Sequence, residues 1–333
     1  MRDALGNMAG ILRAMIGRRE WSLFALIAII AGGVGVVDPA FLSGIVWGDI
    51  ALRCAPTAMV ACGVMLVVVT GEIDISVGSL MAVLAALLGR MVSLDEAQLP
   101  VAIGIPVTLM VGTAIGTMTG LIVTKGQVPS IVATLGLLTA LRGITLLFMG
   151  GRNIGNLPEA LTQGAKQGPC GVPLGIWAAA IVIAFTAMVI YWMPLGRRLY
   201  ALGSSPESAR FAGLSSHRLK TFAFAYTGFL TALATIVEVP RLPKIESGIG
   251  VEFELLVVTC VVVGGVSVSG GKGRLLGVMF AVVLMTMLRP VLTFLAIGET
   301  GEKWTKAIQG LFIVLAIVSD RIASRRDDGD KGV

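Results

Sequence analysis

Two carboxylates are the first residues in this chain that could act on a solute. Glu72 and Asp74 stand in the run Gly71-Glu72-Ile73-Asp74-Ile75-Ser76-Val77-Gly78-Ser79, between long apolar stretches and with no basic residue adjacent. A charge at membrane depth costs about 3 kcal/mol or more, so it faces a cavity or a partner. The alternation of glycine and polar residues lets a helix break there and expose backbone groups. Two readings are open. The acids, with Ser76, line a solute pathway, or they sit solvated in a short turn. Arg142 and Arg289 also fall deep in apolar runs. Each either bonds to the hydroxyls of a passing solute or snorkels and pairs internally.

Covalent catalysis has little to work with. His217 is the one histidine, so no serine–histidine–acid set can be assembled. No metal-ligand spacing is present, and no cofactor is implied. Cys54, Cys62, Cys170 and Cys260 are scattered, and three of them lie in apolar runs. They read as small core hydrophobes rather than disulfides. The glycine-rich stretch 264–273 superficially resembles a phosphate loop. It fails, because Val266 occupies the required first glycine and Gly273 the position of the magnesium-holding Ser/Thr. If ATP drives this protein, a separate chain hydrolyses it.

The elements that must position these residues are membrane spans. Of 333 residues 56% are hydrophobic and only 14% charged, with a mean hydropathy of +0.90. This composition excludes an ordinary soluble domain, a disordered chain and a nucleic-acid binder. A spanning helix needs roughly 17–25 mostly apolar residues. The windows 21–37, 51–70, 75–88, 101–124, 128–149, 176–193, 219–239, 255–268, 275–297 and 304–318 give about ten by that criterion. The expected fold is an all-α polytopic protein of the plasma (inner) membrane. The first window is a retained helix rather than a signal peptide, since it is long and lacks a cleavage site. With alternating spans, sixteen lysines and arginines fall on the side of the termini and seven on the other. Both termini are therefore expected in the cytoplasm. The division is a cytoplasmic segment 1–20, a transmembrane domain 21–318 and a charged tail 319–333. The third and eighth windows are short and five apart in order, which hints at an inverted repeat. Gly112, Gly116 and Gly120 stand four apart on one helix face. Such a face lets backbones approach, either within the bundle or in a dimer.

The loop after the sixth span has its own local signal. Ser205 can cap a helix beginning at Pro206, with Glu207 in its first turn and Gly213 past its end. A helix of about two turns is marginal alone in water, so something holds it. Either it docks a cytoplasmic partner or it rests on membrane lipid, helped by its arginines.

Residues 71–79 followed by an apolar span resemble the signature G-G-I-D-L-S-V-G-S of permease subunits in ribose-type ABC sugar importers. Residues 196–213 resemble that family's cytoplasmic loop, G-R-x-x-Y-A-x-G-x-x-x-x-A-A-R-x-x-G-I. Pro129-Ser130-Ile131-Val132-Ala133-Thr134-Leu135-Gly136 looks like its P-x-F-I-x-T-L-G stretch. Phe253-Glu254-Leu255 through Lys272-Gly273 resembles E-L-x-x-I-A-A-x-V-x-G-G-x-S-x-x-G-G-x-G. Order and spacing agree across about residues 50–320. The resemblance implies paired permeases, a second copy or a paralogue, with the pathway between them. It also implies two ABC ATPase subunits and an extracytoplasmic sugar-binding protein delivering a monosaccharide or small polyol, with ribose, rhamnose and autoinducer-2 branches alike. ATPase coupling is then expected at Gly203, Pro206, Glu207, Ala209, Arg210, Ala212 and Gly213. The translocation pathway is expected at Glu72, Asp74, Ser76, Thr134 and Arg142. Two departures stand out. Glu72 replaces the usual second glycine, adding a charge beside Asp74, and Ser208 replaces a common alanine. A rival reading is an ion-coupled secondary transporter using Asp74 and Glu72. An intramembrane enzyme is disfavoured by the missing nucleophile and base.

Overall fold

The computed structural model describes residues 19–166, 168–295, 303–315 and 318. Its principal elements are helices: α1 (Arg19–Val37), α2 (Gly44–Val69), α3 (Val77–Val92), α4 (Val101–Thr124), α5 (Ser130–Met149), α6 (Glu159–Lys166), α7 (Leu174–Tyr191), α8 (Pro194–Ser204), α9 (Pro206–Phe211), α10 (Ser216–Glu238), α11 (Phe253–Val263) and α12 (Leu275–Phe294). Among the described residues seven helices are long and apolar enough to cross a membrane. The protein is thus all-α and polytopic. Helices α3 and α11 are the two shorter apolar ones, where the third and eighth windows had fallen. The tenth window is helical over 303–315, and its remaining residues lie mostly outside the described ones, as do the chain ends.

Several boundaries differ from the sequence windows. The second span begins at Gly44 rather than 51, because Asp49 does not interrupt the helix, whose first turns the apolar window had left out. The eighth ends at Val263, not 268, because Gly264 and Gly265 turn the chain, the latter at φ +94°. Between 101 and 124 the expected and observed limits coincide.

The chain divides into two compact units. One contains residues 52–258 and 267–272, the other residues up to 51 with 259–266 and the chain from 273 onward. In the first unit α3 is buried along nearly its whole length, and α2 is 83% buried over its most apolar window. Helices α4 and α5, only 22% and 17% buried, form the outside. Their exposed Ile103, Met110, Val132 and Leu147 are what lipid would cover.

The glycine face on α4 is an internal contact. Gly112, Gly116 and Gly120 are buried against α10, where an added Cβ at Gly116 would come within 2.5 Å of the Phe224 carbonyl oxygen. Gly228 on α10 faces them and is itself without space for a side chain. Threonines complete this seam. Thr227, Thr231 and Thr235 each donate to the carbonyl four residues back, at 2.8 Å. Their hydroxyls are thereby satisfied within α10, so the surface offered to α4 is small and free of unmet polar groups. One end of this unit is closed by a two-bond bridge between Ile154 and Ile245, whose side chains pack on Leu88 and Met149.

In the second unit α1 lies along α12. Phe24 meets Phe280, and Glu20 pairs with Arg274 at 3.2 Å. Gly264 packs directly on the first turn of α12 at Gly277 and Val278. Arg289, expected deep in a span, is exposed on α12. Cys62 and Cys260 are buried as expected, Cys54 is half-buried and Cys170 exposed, and none of the four forms a disulfide among the described residues.

Candidate functional site

Residues 70–76 form a non-helical segment between α2 and α3. Gly71, at φ +81°, lets the chain leave the helix. Backbone groups removed from a helical ladder inside a bundle need other partners. The Ile73 amide donates to Ser130 Oγ at 3.1 Å, and Thr134 Oγ1 donates to the Ile73 carbonyl at 3.4 Å. Both partners lie on the first turns of α5. Asp74 is buried, and its Oδ1 accepts from the Ser76 amide at 2.9 Å and the Ser76 hydroxyl at 2.7 Å. This turn closes the N-terminal end of α3, and Ser79 donates back to the Ser76 carbonyl at 2.8 Å.

Glu72, which has no basic neighbour in sequence, receives one from 148 residues away. Lys220 Nζ on α10 donates to its Oε1 in an ion pair whose side chains are only 21% and 15% exposed. Glu72, Asp74, Ser76 and Thr134 therefore gather around one short stretch of backbone.

Arg142 does not join that group. Its Nη1 donates to the carbonyls of Ser247 and Ile249, at 3.2 and 2.8 Å. It holds the loop that leads into α11. That loop reverses through Gly250 and Glu252, both at positive φ. Gly250 and Gly78 touch backbone to backbone, with room for no Cβ on either. The N-terminal ends of α3 and α11 consequently meet. The Glu254 carboxylate lies over Gly78, and its buried Oε2 has no hydrogen-bond partner. Glu254 had no assigned role in the sequence. Its signals were an acid at the start of an apolar run and its place as the acid of the E-L-x-x-I-A-A resemblance.

The loop after α7 builds as its residues require. Helix α8 ends at Ser204, and Ser205 caps α9, its Oγ accepting from the Ser208 amide at 3.3 Å. Pro206 opens α9 and Gly213, at φ +75°, follows it. Ser208, the departure from alanine, accepts from the Ser205 hydroxyl at 2.9 Å and so reinforces the cap. Ala209 is buried. Pro206, Glu207, Arg210, Ala212 and Gly213 are exposed, and so is Phe211, at 78%. This exposed aromatic is a feature that motif reading passed over. Gly203, by contrast, faces inward. It is seated against the Val69 carbonyl at the end of α2 and the Gly271 amide, which is itself bonded to Val69 at 2.9 Å. Burial pushes the phenol of neighbouring Tyr200 above its ordinary range, so it remains a neutral packing group. Ser205→Ala should lower the stability of α9 by about 1 kcal/mol, and Ser205→Thr should largely preserve it. Protease sensitivity of this loop in the intact protein would measure the difference.

A family model described as branched-chain amino acid transport system / permease component matches residues 46–317. The chain belongs to this permease family. The ribose import permease protein of Haemophilus influenzae is 36% identical over 320 residues, covering 95% of this chain and 97% of the relative. The ribose import permease protein of Escherichia coli K12 is 33% identical, covering 90% and 92%. The autoinducer 2 import system permease protein of Escherichia coli K12 / DH10B is 31% identical, covering 93% and 89%. No solved structure matches. The permease is a multi-pass membrane transport component, not an enzyme.

Proposed function

We propose that this permease is the membrane subunit of an ATP-driven ABC importer for a monosaccharide or similar small polyol. The observation that carries the reading is end-to-end likeness to import permeases named for ribose and for autoinducer 2. The family description names branched-chain amino acids. The full-length relatives are the narrower guide to substrate class.

In this reading the nine apolar helices and the run 303–315 make ten spans, with both termini on the inner side. The excess of lysine and arginine there supports it. The meeting of the α3 and α11 N-termini at Gly78 and Gly250 supports two inverted halves, since interrupted helices at matching places mark a transport route. A second permease copy or a paralogue completes the pathway. Asp74, Ser76 and Thr134 border the pathway at the break before α3, and Arg142 and Glu254 border it at the start of α11, where the buried Glu254 Oε2 is an acceptor still available to a sugar hydroxyl. Helix α9 is the coupling element, which two ATPase subunits grip through Glu207, Arg210 and Phe211. A secreted binding protein delivers the solute at the opposite face. An ion-coupled mechanism is the weaker reading, because Glu72 is paired with Lys220 and Asp74 is committed to Ser76.

The test is reconstitution in liposomes with the ATPase and binding protein. The complete set should accumulate ribose only with ATP. Glu207→Lys and Arg210→Glu should insert normally yet hydrolyse ATP without uptake. Phe211→Ala should weaken ATPase binding by about 30-fold, the ~2 kcal/mol of an anchoring aromatic. Accumulation by the chain alone on a proton or sodium gradient would overturn the proposal.

A further inference from the structure

The ion pair between Glu72 and Lys220 is not explained by the family pattern, in which position 72 is a glycine. It joins the non-helical segment to the helix that immediately follows the docking element. Helices α9 and α10 are connected by a short, hydrogen-bonded stretch. Gly213 and Leu214 donate to the Arg210 and Ala209 carbonyls, at 3.0 Å each, and Ser215 caps α10. A displacement of α9 therefore moves the first turns of α10, and Lys220 with them.

The segment is also held from elsewhere. Ser130 and Thr134 grip Ile73 from α5. Other polar contacts at the start of α10 run to α4, where Thr124 meets the His217 ring at 2.6 Å and the Thr221 hydroxyl at 3.2 Å. Lys220 thus reaches from α10 to a segment that is otherwise bonded to α5 through Ile73 and to the end of α2 through the Gly71 and Glu72 amides. A shift of α10 relative to α5 pulls on Glu72, two residues before Asp74 and its hydrogen-bonded turn with Ser76 ahead of α3. Both partners are mostly buried, so the link is poorly screened by salt and unfavourable to break.

We propose that Lys220 is a positioning residue that transmits movement of α9 to residues 70–76 through its ion pair with Glu72. This rests on the reading of the chain as a permease driven at its inner face. The pair is a charge-specific link that the glycine usual at position 72 cannot form.

The experiment uses the full chain reconstituted with its ATPase and binding protein, and reads ribose transported per ATP hydrolysed. Glu72→Gln and Lys220→Met should each lower that ratio by tenfold or more while ATP hydrolysis continues. Lys220→Arg should retain at least half of it. The exchange Glu72→Lys with Lys220→Glu should recover most of what the single changes lose. If either single variant fails to fold, the exchanged pair decides. A folded exchange variant that stays uncoupled overturns the inference, as do single variants with the native ratio. ATP-independent uptake by the unmodified chain would instead sink the underlying reading.

Discussion

Gly116→Leu is expected to leave the permease unable to reach its native bundle. The contact that a side chain would violate is with backbone, not with a flexible neighbour. A Cβ alone would come within 2.5 Å of the Phe224 carbonyl oxygen and 2.9 Å of the Gly228 Cα. Neither atom can retreat unless α10 moves away from α4. Overpacking a well-filled interior typically costs ~1–3 kcal/mol, and a backbone collision belongs at or above the top of that range. Separation of the helices also forfeits the close packing that replaces hydrophobic association in lipid. Thermal unfolding in detergent should shift down by roughly 10 °C, or the variant should fail to accumulate in the membrane. Ala114→Leu, on the exposed side of the same helix, is the control. Equal stability of the two variants would refute the packing account.

Gly203→Val should separate uptake from ATP hydrolysis even though Gly203 lies outside α9. Gly203 is where α8 seats on the end of α2, and an added Cβ would run into the Val69 carbonyl oxygen. It would also lie 2.5 Å from the Gly271 amide nitrogen, whose bond to Val69 it would displace. Valine cannot be accommodated without lifting α8, and α9 follows directly from α8. The spans themselves do not depend on this seat. The variant should therefore insert and bind ATPase, yet lose more than about 90% of uptake, the tenfold effect of ~1.4 kcal/mol in one transport step. Ala201→Val, exposed on the same helix, should transport normally. Comparable losses in both would show that α8 tolerates no β-branched residue, and the seat would not be the cause.

What was legible in the sequence is what local chemistry decides. The limits of α4 follow from hydropathy alone, and the capped helix at 206–211 from serine, proline and glycine at fixed offsets. The break after α2 was also readable, because glycine and acids interrupt an apolar run. The partners of that break were not. Ser130 is 57 residues from Ile73, and Lys220 is 148 from Glu72. No periodicity encodes which helix will lie beside which, so the extra acid at 72 looked like an unpaired charge. The partners of Arg142 were hidden for the same reason. Its carbonyl partners belong to a loop whose return into the bundle leaves no mark in composition. Phe211 was overlooked because an aromatic between two polar stretches is ambiguous until its exposure is known.

The order in which the 70–76 segment acquires its partners bears on how the protein is made. Gly71 to Ser76 leave the ribosome well before Ser130, Thr134 and Lys220, the residues that satisfy their backbone and charge. At typical elongation rates of ~5–20 residues per second, Glu72 waits roughly 7–30 s for its lysine. Throughout that interval the nascent hairpin of α2 and α3 carries an unpaired charge, and until Ser130 emerges also an open Ile73 amide, both of which hydrocarbon would reject. The insertion machinery must therefore shelter this hairpin until α10 emerges, and release to the bilayer is expected in a late group rather than one helix at a time.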